Sequence, residues 1–202
     1  MTPPGIERVL FTEEQVAQRI REVAAEIAEK FRGRDLKLIG VLKGSVFFLT
    51  ALARALDLPV KIDFLAISSF SGAASSSAQG MVRIAKDLDD PIEDEDILLV
   101  EDIVDTGFTT RYLLQTLAGR GPRSLAICTL LDRKVRRIVQ VPVEFRCFEI
   151  PDRFVVGCGL DYNQLYRNLG YIAVMNVTQL KQHAQLQQQE KAEQEKSRQE
   201  RP

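Results

Sequence analysis

The sequence is poor in the residues that the commonest nucleophilic and metal chemistries need. It holds one histidine, His183, in a polar stretch near its end. A Ser/His/Asp triad or a histidine-bound zinc is therefore all but excluded, and acid–base work falls to carboxylates, lysine or tyrosine. The three cysteines, Cys128, Cys147 and Cys158, are odd in number and lack metal-ligand spacing. That pattern fits free thiols in a reducing compartment rather than a disulfide scaffold. No apolar run approaches the length that crosses a bilayer, and the opening Met-Thr-Pro-Pro-Gly lacks the basic-then-apolar form of a signal peptide. The expectation is a soluble, cytoplasmic protein with no membrane partner. Charge of one sign is also missing: 27 lysines and arginines face 28 acidic residues, so nothing points to nucleic acid. With 202 residues there is room for one domain and some additions.

What is present centres on residues 97–110, Ile-Leu-Leu-Val-Glu-Asp-Ile-Val-Asp-Thr-Gly-Phe-Thr-Thr. Four apolar residues in a row predict a parallel strand buried on both faces. Glu101 and Asp102 then fall at its carboxyl end, where open α/β sheets place their ligands. Asp105 follows on the turn. Thr106, Gly107, Thr109 and Thr110 add hydroxyls, a flexible position and free amides before a helical pattern resumes at Tyr112. Amides at a helix start, with a glycine that lets the backbone approach, make a cradle for a phosphate. The two upstream carboxylates would repel that phosphate, so they must face sugar hydroxyls and a hydrated divalent cation, for which magnesium suits best. The plainer alternative is that Asp105 and the threonines only cap a helix while Glu101 is solvated.

The rest of the chain supplies the frame. Thr12 and Gln15 form a capping-box start, and Val16, Ile20, Val23, Ile27 and Phe31 recur at helical spacing until Gly33. A buried strand over 36–42 ends in Lys43-Gly44-Ser45 and leads into an apolar helix to about Leu56. Lys43 is either a cation for a diphosphate, with the Gly44 and Ser45 amides assisting, or a solvated loop lysine. After a strand over 60–68 comes Phe70 and a run of small residues to Gly80, read as a mobile lid or a plain linker, then a short strand from Met81. A helix over 111–118 stops at Gly119, and a buried strand over 124–131 follows. Strand, helix, strand in repetition predicts an α/β fold with a mainly parallel sheet flanked by helices. The cluster Arg133, Lys134, Arg136 and Arg137 is either a solvated face or a group facing a pyrophosphate or an acceptor oxygen. Phe154 is a ring-stacking residue or ordinary core, and Asp161 is a metal ligand or the cap of 162–167. A last strand is expected over 171–175, and 181–202 is a polar tail, solvated or disordered, leaving 1–180 as the domain.

Three segments together resemble the type I phosphoribosyltransferases, and among them the bacterial hypoxanthine-guanine enzymes. They are Val-Leu-Lys-Gly-Ser at 41–45, Val-Glu-Asp-Ile-Val-Asp-Thr-Gly-Phe-Thr at 100–109, and Phe-Val-Val-Gly-Cys-Gly-Leu-Asp-Tyr at 154–162 behind Leu-Leu-Asp at 130–132. The resemblance implies transfer of a phosphoribosyl group from 5-phospho-α-D-ribosyl 1-diphosphate to hypoxanthine or guanine, with Mg2+, in a homodimer or homotetramer with a small hood and a lid. It implies that Glu101 and Asp102 hold the ribose hydroxyls and a magnesium, and that Asp161 binds a second magnesium and borders the purine. Asp105 is then the general base near the purine N7. Residues Asp105, Thr106, Gly107, Phe108, Thr109 and Thr110 surround the 5′-phosphate. Lys43 and Gly44 contact the pyrophosphate, across a strained peptide between Leu42 and Lys43, and Arg167 and Arg137 reach the same side. Phe154 stacks on the base while Val155 reads its edge. The chain departs from the family where Arg133 replaces the usual lysine that donates to the purine O6, with Lys134 one place later, and where Ser69-Phe70 replaces a Ser-Tyr pair. Two other readings share the fold: a nucleotide sensor that binds RNA, and a transferase for another base such as xanthine.

Overall fold

In the computed structural model the described residues are 3–69 and 82–178. In chain order they form β1 (Ile6–Phe11), α1 (Glu13–Lys30), β2 (Leu36–Leu42), α2 (Ser45–Ala55), β3 (Val60–Ser69), β4 (Val82–Lys86) and β5 (Asp96–Val104). There follow α3 (Phe108–Ala118), β6 (Ser124–Asp132), a 3-10 turn (Lys134–Arg136), β7 (Phe145–Glu149), β8 (Val155–Val156) and β9 (Ile172–Met175). The expected lid over 70–80, the strand start at Met81 and the tail over 181–202 lie outside the described residues.

The main sheet has six strands in the order β4-β3-β2-β5-β6-β7. Every pair is parallel except β3 with β4. β5 is buried on both faces, as its unbroken apolar run requires. Leu98 and Val100 pack with α1 and α2 through Ile20, Ile27, Phe48 and Leu52, whereas Ile97 and Leu99 pack with Leu113 and Leu117 of α3. The helices form where the periodicity placed them. Thr12 and Gln15 exchange the two bonds of the capping box, and Val16, Ile20, Val23 and Ile27 face the sheet. Among the described residues no helix is long and apolar enough to cross a membrane.

The topology decides where a ligand can sit. From β2 the chain steps outward to β3, then returns to the other side of β2 as β5. The loops at the carboxyl ends of β2 and β5 therefore diverge and leave a crevice between them, the position open parallel sheets use for binding. A second, small antiparallel sheet has the order β1-β9-β8. Neither β1 nor β7 was expected from the sequence, and β8 is only two residues long, too short to carry a periodicity. The helix expected at 111 begins one turn earlier, so Thr109 and Thr110 lie within the first turn of α3.

Candidate active site

The crevice holds a cavity of about 290 Å3 whose lining includes Gly44, Glu101, Asp102, Asp105, Thr106 and Gly107. Its first wall is the loop after β2. The Leu42–Lys43 peptide is cis. A Cβ on Gly44 would overlap Asp102 Oδ2 and lie 2.5 Å from Asp102 Cγ. Only glycine lets this backbone lie against the carboxylate.

The second wall is the end of β5. Glu101 is buried, and burial, helped by the neighbouring Asp102 charge, pushes its carboxyl well above the usual range although the Thr110 hydroxyl donates to it. Its Oε1 has no partner among the described residues. The Thr110 hydroxyl thus turns inward, and what Thr110 can offer a ligand is its amide. Asp102 is pushed up to about 6, chiefly by burial, against the lowering effect of the Ile103 amide and of Arg167. Two carboxyls adjacent in sequence near the end of β5, both disfavoured as anions by burial, are held there at a cost to stability, which is the mark of a site kept for a ligand.

The turn that follows has the form of a phosphate cradle. Gly107 is the N-cap of α3 in a left-handed conformation, with φ 90°, and an added Cβ would overlap the Val139 carbonyl. The carbonyl of Thr106 accepts from the amides of Ile138 and Val139, both at 2.9 Å. With its carbonyls engaged behind, the turn leaves the amides at the start of α3 for an anion. Phe108 points to solvent.

Asp105 sits beside this cradle. Its Oδ2 lies 3.3 Å from Arg133 Nη1 and 3.6 Å from Arg136 Nη1, while Oδ1 is buried with no partner among the described residues. Arg133 is itself buried, and its Nη2 donates to the Arg153 carbonyl at 2.8 Å. The residue expected to meet a purine O6 therefore bridges Asp105 to the segment that carries Phe154. Lys134 is no substitute, because it turns away to Glu149 at 2.7 Å. Phe154 is 43% exposed and packs edge-on against Tyr162, so it is a presented ring rather than core. Val155 is buried in β8, paired with Val174.

The remaining candidates arrive through the turn at 157–167. A Cβ on Gly159 would overlap the Gly44 carbonyl, so this turn packs directly on the first loop. Arg167 donates to the Gly159 carbonyl at 2.6 Å and pairs with Asp161 at 2.7 Å. The Asp161 cap closes a tight turn rather than a helix: Oδ2 accepts the Gln164 amide at 2.8 Å. The side-chain Oε1 of Gln164 accepts from both Lys43 and Arg167, at 3.4 and 3.3 Å. Gln164 thus gathers two cations at one edge of the crevice, and nothing in its sequence context signals that role. Arg137 is placed differently from the expectation that it reaches a pyrophosphate. It lies behind the turn, bonded to Asp132 and to the carbonyls of Val104 and Asp105.

For a divalent cation the fit is one of oxygen donors. Among the described residues no group of three or more ligating side chains is gathered to enclose a metal. Glu101 Oε1 is orphaned, Asp102 is next to it, and Asp161 is close enough to raise the Asp102 carboxyl. One or two carboxylates with open positions suit magnesium, which keeps water and takes substrate oxygens as its other ligands.

Comparison with known proteins agrees with this geometry. The phosphoribosyl transferase domain model matches residues 10–163, and the chain belongs to that family. Among its relatives, a hypoxanthine-guanine phosphoribosyltransferase of Mycobacterium avium is 48% identical over 180 residues, covering 86% of this chain and 88% of that one. A hypoxanthine phosphoribosyltransferase of Salmonella typhimurium is 45% identical over 166 residues, covering 81% and 92%. A solved hypoxanthine phosphoribosyltransferase of Trypanosoma cruzi superposes with a TM-score of 0.82 at 38% identity, covering 91% of this chain and 98% of that one.

Proposed function

We propose that this protein transfers the 5-phosphoribosyl group from 5-phospho-α-D-ribosyl 1-diphosphate to hypoxanthine or guanine, giving IMP or GMP and pyrophosphate, a step of purine salvage. The observation that carries this is the meeting of Gly44 with Asp102 at the sheet's switch point. It brings the loop after β2, the carboxylates of β5 and the turn before α3 around one cavity, which supports their reading as diphosphate, sugar and phosphate sites. Relatives named for this activity match over most of the chain.

In the reaction N9 of the purine attacks C1′ of the ribose, the C1′–O bond to pyrophosphate breaks, and the purine proton passes to Asp105 near N7. Asp105 suits the task because it lines the crevice with a third of its side chain exposed, while Arg133 and Arg136 fix its Oδ2. Glu101 and Asp102 hold the ribose hydroxyls, and the amides of 106–110 hold the 5′-phosphate. Lys43, its Gly44 amide and Arg167 answer the negative charge that grows on the departing diphosphate. Phe154 supplies a face for the base, with Val155 at its edge. Magnesium, held by Glu101, Asp102 and Asp161, would screen the diphosphate and orient it. Assembly as a homodimer or homotetramer belongs to the same reading, and light scattering measures it. The test of function is turnover with hypoxanthine, guanine, xanthine, adenine and uracil. Hypoxanthine and guanine should be preferred; preference for xanthine or uracil, or none with any base, overturns it.

A further inference from the structure

Three carbonyls in a row, those of Val104, Asp105 and Thr106, run from the end of β5 into the cradle turn, and all three are tied to one short segment on the far side of that turn. Arg137 Nε donates to the Asp105 carbonyl at 2.9 Å and its Nη2 to the Val104 carbonyl at 3.3 Å. The next two residues take the third, through the Ile138 and Val139 amides to Thr106. Arg137 is fixed in turn by Asp132 Oδ1, and Arg146 holds the other Asp132 oxygen at 3.2 Å. The side chains of Arg137 and Asp132 are 7% and 1% exposed, so this ion pair is closed to solvent. Gly107 leans on the same plate, where an added Cβ would come 3.0 Å from Arg137 Cδ as well as overlap Val139 O.

We infer that Arg137 is a positioning residue for the 5′-phosphate site, acting through the backbone and anchored by Asp132, and that it makes no contact with the pyrophosphate. A peptide plane has its carbonyl and amide on opposite sides, so pinning successive carbonyls backward aims the amides of the turn forward, into the crevice. The planar fork of an arginine bridges two carbonyls and a carboxylate at once; a lysine ammonium on its flexible stem does not hold that geometry. Because the 5′-phosphate is bound alike in substrate and product, such a residue governs binding of either and leaves pyrophosphate binding alone.

This rests on the phosphoribosyl transfer proposed above, and the reverse reaction separates the two ligands. IMP carries the 5′-phosphate and pyrophosphate does not. Arg137→Gln and the milder Arg137→Lys, each verified as folded by circular dichroism, should raise the KM for IMP on the order of tenfold, the loss expected for a charge-assisted hydrogen bond. The KM for pyrophosphate should stay within about twofold. Ribose 5-phosphate, which has neither base nor diphosphate, should weaken by the same factor as IMP in calorimetric titration. A rise in the pyrophosphate KM alone, an equal rise in both, or no change in ribose 5-phosphate binding overturns the inference. Wild-type protein that binds ribose 5-phosphate but does not cleave IMP would instead overturn the proposed reaction while leaving Arg137 testable by titration.

Discussion

Asp102 offers the sharpest quantitative test, because its carboxyl is held where a charge is costly. Its ordinary value is 3.8 and burial pushes it up to about 6. Each unit corresponds to about 1.4 kcal/mol, so the ionised form is disfavoured in the folded chain by up to about 3 kcal/mol. The sign follows from proton binding. Between the unfolded and folded values the folded state binds more proton than the unfolded one, so stability falls as pH rises through that window. Below about 4 the group is protonated in both states and costs nothing; above about 6 the full penalty is present.

Asp102→Asn removes the charge while keeping the shape and an oxygen for the Ile103 amide, which Asp102 Oδ1 accepts at 3.0 Å. In chelator-treated buffer, urea denaturation at a series of pH values should give wild type and variant equal stability near pH 4. The variant should then gain steadily, reaching an advantage of about 2–3 kcal/mol at pH 7. Its turnover should collapse at every pH. A stability difference that does not change with pH, or one that favours wild type at pH 7, refutes the placement of this carboxylate in a desolvated crevice. Greater stability joined to lost activity is what a residue kept for binding rather than for folding produces.

Gly44→Ala should be close to inactive yet fold normally. The backbone there is ordinary, with φ −60°, but the new methyl must displace Asp102, and a shift of about 1 Å at such a site costs on the order of 10²-fold in turnover. Near-normal kcat in this variant would show that the loop and the carboxylate do not act together. Asp105→Asn should lower kcat by about 10²–10⁴-fold with little change in phosphoribosyl diphosphate binding; unchanged turnover removes the proposed base. Arg133→Lys should lower kcat about tenfold, since an ammonium cannot span from Asp105 to the Arg153 carbonyl. A lysine variant faster than wild type on hypoxanthine would show that an O6 donor matters more here than the bridge.

The places of the carboxylates and of the turn before α3 were legible in the sequence because these residues are contiguous. β5 announces itself by four apolar residues, and a strand buried on both faces must end at a sheet edge where ligands bind, so Glu101, Asp102 and 106–110 could be placed from one line of sequence. The same logic located Lys43 and Gly44 at the end of β2. What stayed hidden depends on residues that meet only through the fold. β1 and β9 are separated by most of the chain yet pair with each other. Arg133 and Arg137 sit 28 and 32 positions from their Asp105 partners, and Gln164 sits 121 positions from Lys43.

The arginines show why residue type alone misleads. A run of cations at the end of a strand invites the reading that each meets the anionic substrate, yet the loops around a phosphate present as many carbonyls as amides, and those carbonyls need donors too. Arg137 and the amides of Ile138 and Val139 answer that need from behind, and Arg133 braces Asp105 from the side. Anion affinity at such a site comes from neutral amides held in one direction, so the cations that matter most for it are those that fix the backbone rather than those nearest the phosphate. Losing one of them should therefore behave as a binding defect for one end of the substrate, with the charge balance at the other end untouched.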